Sequence, residues 1–173
     1  MNEEIIYQPI GYIRTPFKSI EKMPIQPCGS ENSQGIIELD PEFLPGLADI
    51  EGFSHLILIY HFHRVKGYKL YVVPFMDDHP HGIFATRAPL RPNPIGISVV
   101  KLNKVEHNLL HIEGVDMVDG TPLLDIKPFF TKYDNRPDAV AGWLEGKNDI
   151  DISKIKSDTR FDTEKSPEFN RCK

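Results

Sequence analysis

The sequence predicts a mainly β, single-domain protein. Its recurrent signal is a short apolar run bounded by Gly, Pro, Asn or Asp, which is typical of strands rather than helices. The 173 residues fit one domain and are long enough to bury a core without disulfides or metal ions. Hydrophobic residues make up 40% and charged residues 26% of the chain, as in soluble globular proteins. These observations favour a small barrel or sandwich.

Eight candidate strands follow one another along the chain. They are residues 5–14, 35–39, 55–62, 69–75, 82–86, 95–106, 109–115 and 122–130. Only His107 and Asn108 separate the sixth and seventh runs, so we expect a β-hairpin there. Residues 41–53 predict a short helical turn. The run 55–62 is apolar on both faces, which predicts a central strand covered on each side or one at a subunit contact.

The apolar pattern fades after Pro137, although Trp143 offers one further packing residue. We place the domain at residues 1–146 and a charged tail at 147–173. The tail has mixed charges and few large apolar side chains, so we expect it to be disordered or to lie on a partner subunit.

The sequence predicts neither a membrane segment nor export. Its longest apolar run is far shorter than a bilayer span, and the N-terminus lacks a basic region followed by an apolar stretch. Cys28 and Cys172 lack metal-ligand spacing. A reducing cytoplasm is therefore the expected location, with one disulfide between the two left open.

The charge is unevenly distributed. The net charge of −5 argues against a general nucleic-acid-coating protein. Residues 61–104, however, hold seven lysines and arginines against two acidic residues. From charge alone, chance clustering on solvated faces explains this segment as well as an anion-binding surface does.

A proline-rich segment, TRAPLRPNP at residues 86–94, carries two arginines of that basic region. Proline fixes its own φ and holds the preceding residue extended, so the segment is a rigid loop. Rigidity lowers the entropy cost of presenting side chains, and Arg87 and Arg91 suit bidentate contact with a carboxylate or phosphate. The alternative is a turn with two solvated arginines.

Three further segments combine rigidity with polarity: residues 23–29, 61–64 and 116–129. In the last, Gly120 permits a tight turn, and Asp119 is interpreted as presenting a carboxylate while nearby backbone groups hold a flat heterocycle. A turn without function explains most of the same pattern.

Histidine spacing does not predict a metal site. His61 and His63 share one strand face, but the sequence offers no third ligand, so packing or hydrogen bonding is the favoured interpretation. The sequence also lacks a Gly-x-Gly-x-x-Gly fingerprint, a P-loop lysine motif and a Gly-x-Ser-x-Gly elbow, which removes the usual nucleotide-binding and hydrolase classes.

Three long motifs together resemble the signatures of the TrmO family, also called YaeB- or VirR-like proteins. They are EGFSHLILIYHFH, GIFATRAPLRPNPIGISVVKL and VDGTPLLDIKPF, and the resemblance spans roughly residues 5 to 143. It implies a small β-barrel that forms a homodimer. It also implies S-adenosylmethionine-dependent methylation of N6 in threonylcarbamoyladenosine, the modified base next to the anticodon of certain tRNAs.

The resemblance further implies a cofactor site made of the rigid segments described above. The implied cofactor-binding residues are Gln26, Pro27, Cys28, His63, Arg64, Arg87, Arg91, Asp119, Gly120, Thr121 and Pro122. Arginine suits the cofactor carboxylate or a tRNA phosphate. Asp119 is the first candidate for a general base and His63 the second, with Asp119 alternatively no more than a cofactor ligand. Accordingly, we expect Asp119→Ala to abolish turnover, and Arg91→Ala to weaken ligand binding with the fold nearly intact.

The chain departs from longer bacterial members in lacking their extra C-terminal domain, so we expect a short form of the family. This leaves two other functions open. One is methylation of another RNA or a small molecule, and the other is a non-catalytic S-adenosylmethionine-binding module.

Overall fold

Six of the eight strands form a closed barrel. The computed structural model describes residues 4–21, 23–25, 32–147, 151 and 154–163. The strands are β1 Gly11–Arg14, β2 Gln34–Leu39, β3 His55–His61, β4 Tyr71–Val72, β5 His81–Gly82, β6 Ile95–Glu106, β7 Leu109–Glu113 and β8 Thr121–Pro128. The barrel order is β1-β2-β7-β6-β3-β8, and β8 also pairs with β1. The prediction of a small, mainly β barrel is therefore confirmed.

The helical segments are short turns around this barrel. They are α1 Thr131–Asp134 and the 3₁₀ turns Pro41–Leu47, Ile50–Gly52, Ile83–Ala85, Gly142–Leu144 and Thr159–Phe161. The first two 3₁₀ turns lie in the predicted helical region 41–53. In the part of the chain that the structure describes, no helix has the length and apolar character needed to cross a membrane.

Alternating side chains form the barrel core. On β3, Leu56 and Leu58 are fully buried and Tyr60 is 3% exposed, because every second residue of a strand faces inward. On the adjacent β6, Ser98 and Val100 face the same interior and are buried. The predicted hairpin is confirmed: β6 and β7 pair up to Glu106–Leu109 around the turn at 107–108.

Chain connections cover both ends of the barrel. In the strand order, β2 and β3 stand on opposite sides of the ring, as do β7 and β8. Residues 40–54 must therefore cross one end and residues 114–120 the other. Leu47 and Ile50 of the first connection pack against the core, and Val115 and Met117 of the second belong to it.

A second, smaller core lies under the proline-rich loop. It contains Val72, Ile83, Ala88, Leu90 and Phe161, all buried. The strands β4 and β5 form a separate two-stranded sheet that supplies part of it. The loop is thereby attached to a packed surface rather than left in solvent.

The C-terminal segments pack on the small core and on chain segments beside it. Phe161 contacts Phe75 edge-on with ring centroids 5.2 Å apart, and the Ser157 backbone N–H donates to the Met23 carbonyl over 2.9 Å. Trp143 stacks on His81, with centroids 4.3 Å apart. Residues 154–163 of the predicted tail thus lie on their own chain, an arrangement that the sequence analysis did not include. Residues 148–150, 152–153 and 164–173 are outside the described residues.

Three predicted strands are shorter in the structure by three or more residues. The first begins at Gly11 rather than residue 5, since pairing with β8 begins with the Ile10 N–H bond to the Leu123 carbonyl. Only residues 71–72 of the run 69–75 form a strand. In the run 82–86, the Thr86 N–H and hydroxyl both donate to the Ile83 carbonyl, which makes residues 83–85 a 3₁₀ turn.

Gly96 should be sensitive to added volume, because a Cβ there would lie 2.5 Å from Tyr60 Cζ and 2.9 Å from Phe62 Cζ. We predict that Gly96→Ala lowers the free energy of unfolding by about 2 kcal/mol, the cost of overpacking a filled core. Urea unfolding measures it. Gly46→Ala is the control, since a Cβ at Gly46 meets nothing within 4 Å. Equal stability of the two variants would contradict the described packing.

Candidate functional site

The predicted site segments all join the barrel at one end. The carboxyl ends of β1, β3 and β7 meet the amino ends of β2, β6 and β8 there, as three cross-strand pairs show: Ile13–Thr121, His61–Ile95 and Gln34–Glu113. We call the described parts of the connections 15–33, 62–94 and 114–120, with the strand ends that they join, the site rim.

Eight of the predicted cofactor-binding residues lie on the site rim, on two connections and one strand. These are His63, Arg64, Arg87, Arg91, Asp119, Gly120, Thr121 and Pro122. The other three, Gln26, Pro27 and Cys28, belong to the β1–β2 connection and lie outside the described residues, as does Cys172.

Asp119 is held by contacts to the segment that follows β1. Its Oδ1 accepts a hydrogen bond from the Thr15 N–H over 3.0 Å, and its Oδ2 pairs with Lys18 Nζ at 2.8 Å. The hydrogen bond from Lys18 is the main reason that the pKa of Asp119 lies below its ordinary value. A low pKa makes a weak base, so these contacts favour a ligand-positioning role among the two left open for Asp119.

The turn from Asp119 to Pro122 is fixed by its backbone. Gly120 has a φ of 75°, which favours glycine, and its N–H donates to the Ile13 carbonyl over 2.9 Å. Thr121 is buried, and its hydroxyl donates to the Val118 carbonyl over 2.7 Å. The turn is therefore a preformed piece of main chain attached to β1.

The two arginines of the proline-rich loop have different surroundings. Ala88 and Leu90 are buried while Arg87 is exposed, an alternation that agrees with the predicted extended backbone. Arg91 is half-buried, and its Nη1 donates to the carbonyls of Ile83 at 3.1 Å and Thr86 at 2.9 Å. Arg91 thus stabilises the loop itself, and Arg87 is the more exposed of the two arginines.

His63 lies half-buried just after β3, next to the exposed Arg64. Burial lowers the pKa of His63, and the nearby Arg64 and His61 lower it further. At neutral pH the imidazole is therefore uncharged and has one nitrogen able to accept a hydrogen bond.

A chain of hydrogen-bonded polar side chains, which reaches the site rim from the barrel interior, was not predicted from the sequence. The Ser98 hydroxyl donates to Asp116 Oδ1 over 2.7 Å, and the Tyr60 and Ser98 hydroxyl oxygens are 3.0 Å apart. Burial raises the pKa of Asp116 to about 6, although Ser98 and the charge of Arg87 act against it. The available signal was Ser98 itself, a polar residue at an inward position of the apolar run 95–100.

Metal ligands do not assemble in the described ranges, where no group of three or more His, Cys, Asp and Glu side chains is placed to hold an ion. The residues nearest to such a group are occupied otherwise. Asp77 lies 3.0 Å from His81 Nε2 and 2.6 Å from Lys147 Nζ, and these contacts attach the segment ending at Lys147 to the small sheet.

Comparison with known proteins agrees with this architecture. The family description tRNA-methyltransferase O N-terminal domain matches residues 12–135, more than half of the chain. A probable S-adenosyl-L-methionine-binding protein of Pyrococcus abyssi is 54% identical over 157 residues, covering 91% of this chain and 85% of the relative. A crystal structure of TrmO from Pseudomonas aeruginosa superimposes with a TM-score of 0.69 at 38% identity, covering 82% of this chain and 63% of that one.

A more distant relative is a tRNA (adenine(37)-N6)-methyltransferase of Mus musculus, 37% identical over 140 residues. The match covers 76% of this chain but 32% of the mouse protein, so the chain spans about a third of that relative. The family match over residues 12–135 contains seven of the eight strands entirely and all of β1 but its first residue. The chain belongs to the TrmO family.

Proposed function

We propose that this protein is an S-adenosylmethionine-dependent methyltransferase that methylates N6 of threonylcarbamoyladenosine next to the anticodon of tRNA. The observation that carries the proposal is the convergence of the predicted cofactor segments on one barrel end. These segments are far apart in the sequence, and the strand order places the connections that carry them at the same end of the barrel. The names of the relatives support the cofactor and the tRNA substrate.

The residues of the site rim suit S-adenosylmethionine. Its amino acid carboxylate needs a cation, its sulfonium and ammonium groups need carboxylates or ring faces, and its adenine needs hydrogen-bonding groups at a flat surface. The exposed Arg64 and Arg87 carry positive charges, and Asp119 carries a carboxylate. The turn at Gly120 offers preformed main chain for the adenine edge.

The bound cofactor would supply an electrophilic methyl group, and the protein's task is to orient it and the acceptor nitrogen. In threonylcarbamoyladenosine that nitrogen lies between an aromatic ring and a carbonyl, so it reacts slowly until its proton leaves. The contacts of Thr15 and Lys18 with the Asp119 carboxylate fix the turn that begins at Asp119, which forms one wall of the proposed cofactor site. Arg87 suits the threonyl carboxylate or a tRNA phosphate, which gives the basic segment 61–104 a purpose.

We further propose that the protein works in the cytoplasm as a homodimer. On the outer face of the barrel, Ile57 and Ile59 of β3 lie opposite Val99 and Ile97 of β6, and Ile97 is 54% exposed. The neighbouring strand β8 carries Asp125 and the lysine that forms an ion pair with it, and both lie beside these apolar pairs. An apolar stripe edged by both charges is suited to a twofold, self-complementary contact.

The direct test is nucleoside mass spectrometry on tRNA incubated with purified protein and S-adenosylmethionine. We predict a methyl-sized mass gain on threonylcarbamoyladenosine and none on tRNA lacking the threonylcarbamoyl group. Transfer to a different nucleoside would instead favour another acceptor. Cofactor binding without any transfer would favour a non-catalytic binding module.

The two loop arginines should separate stability from binding. Arg91→Ala removes charged hydrogen bonds to loop carbonyls, so we predict a loss of about 2 kcal/mol in unfolding free energy. This replaces the sequence-based expectation of a nearly intact fold. Arg87→Ala should instead lower the unfolding free energy by less than Arg91→Ala does, and weaken binding of S-adenosylmethionine or tRNA about tenfold, measured by calorimetry. The reverse assignment of effects would refute this division.

The proposed dimer face predicts that Ile97→Lys raises the dimer dissociation constant about tenfold or more, because it buries a charge in an apolar contact. Analytical ultracentrifugation measures it. Val140→Lys is the control, as Val140 is 84% exposed and lies outside the barrel strands. A monomeric parent protein, or equal association of the two variants, would exclude this interface.

A further inference from the structure

The polar chain from Tyr60 through Ser98 to Asp116 runs from the barrel interior to the site rim. Tyr60 and Ser98 are 3% and 2% exposed, and Asp116 retains partial exposure. A carboxylate only accepts hydrogen bonds and a serine has one proton, so the Ser98 proton points to Asp116 and the Tyr60 proton to Ser98. The direction of the chain is thereby fixed toward the carboxylate.

Asp116 also has a distinctive place in the topology. It lies on the 114–120 connection, which crosses the barrel end between opposite strands. Val115 and Met117 on either side of it are buried in the core, so the connection is held on both flanks. Asp119, three residues later, closes the same connection onto the segment after β1.

The two carboxylates of this connection have different hydrogen-bond and ion-pair partners. Asp119 has contacts to both oxygens, from Thr15 and Lys18. Asp116 accepts hydrogen bonds from the Ser98 hydroxyl and from its own backbone N–H, and the cation whose charge acts on it is Arg87 of the proline-rich loop. No lysine pairs with Asp116 among the described ion pairs, so it keeps more basicity than Asp119.

We propose that Asp116 faces the methyl-transfer centre and is the general base, with Ser98 and Tyr60 as its positioning residues. This inference rests on the methyltransferase function proposed above. The acceptor nitrogen forms a bond to the methyl carbon, and the methyl–sulfur bond breaks with its electron pair left on sulfur. The N–H proton passes to the Asp116 carboxylate and then to water, which balances the charge.

The protonation of Asp116 then governs the rate. Burial holds its pKa near 6, with Tyr60 from β3, Ser98 from β6 and Arg87 from the loop facing it. Because the base must be deprotonated, the rate should rise with pH through the pKa that Asp116 has in the cofactor complex, which lies below about 6. Ser98 stabilises the carboxylate, so Ser98→Ala should raise the Asp116 pKa. The acidic limb of the pH–rate profile should then move to higher pH.

The first test needs the cofactor but no acceptor. Carboxyl ¹³C NMR follows the titration of Asp116, assigned with Asp116→Asn, or with Asp116→Glu if the asparagine variant does not fold. We compare complexes with S-adenosylmethionine and with S-adenosylhomocysteine, which lacks the sulfonium charge. A nearby cation should lower the Asp116 pKa by at least about half a unit in the first complex only. Equal titration in both complexes would overturn the proposal.

The second test is single-turnover methyl transfer across pH. Asp116→Asn should lose about a hundredfold or more in rate and lose the acidic limb, with cofactor affinity unchanged within about threefold. The matched control is Asp49→Asn, an exposed residue at the opposite barrel end with a φ of 66°, which asparagine tolerates. Asp49→Asn should keep both the single-turnover rate and the acidic limb of the pH–rate profile.

The outcomes separate the two proposals. If Asp116→Asn keeps the limb and His63→Gln removes it, the base is His63 and this inference is wrong. Equal losses of affinity and rate in Asp116→Asn would also overturn it. If Asp116 responds to the sulfonium but threonylcarbamoyladenosine is not methylated, the position of Asp116 is supported and the proposed acceptor is contradicted.

Discussion

The site depends on the closure of the barrel by β8, which pairs with β3 on one side and β1 on the other. These pairs bring the start of β8 beside Ile13 of β1 and the end of β3. An open sheet would leave β1 and β3 at separate edges, with their following loops far apart. Closure instead places the connections after β1, β3 and β7 around one opening, and it leaves no strand edge unpaired in the barrel.

Closure also determines what fills that opening. Since β7 and β8 are opposite each other in the ring, the short connection between them has to cross the end. It does so with Val115 and Met117 buried and Asp116 bonded to Ser98. Burying a carboxylate is costly unless it is hydrogen-bonded, and the hydroxyl chain meets that requirement. The same residues therefore close the core and hold an ionisable group with a raised pKa at the surface of the proposed site.

Residues of the site rim differ in how far their side chains are bonded to the protein itself. Arg91 and Asp119, two residues that the sequence marked for ligand binding, have much of their hydrogen-bonding capacity directed to the protein's own backbone. In contrast, Arg87 is exposed, and Asp116 accepts a hydrogen bond from the Ser98 side chain. Such a division is physically reasonable, because a side chain presents a neighbouring group accurately only when its own conformation is fixed.

The sequence predicted the elements that local patterns control. Apolar runs marked the strands, and a two-residue gap at His107 marked the hairpin. It could not predict which strands are neighbours, so the chain from Tyr60 to Asp116, formed across β3, β6 and a connection, was missed. The local pattern also made the predicted first strand too long, because Ile5, Ile6 and Tyr7 are apolar or aromatic but belong to no strand in the structure. Likewise, the packing of Phe161 depends on a small core assembled from distant segments.

The most direct test of the central claim is amide chemical-shift mapping with S-adenosylmethionine. If the rim is the cofactor site, the perturbed amides should cluster at residues 87–91 and 119–121. The opposite barrel end, represented by Ile50–Gly52 and Asn108, should stay unchanged. Perturbations concentrated at that opposite end, or saturating cofactor without any perturbation, would contradict the account.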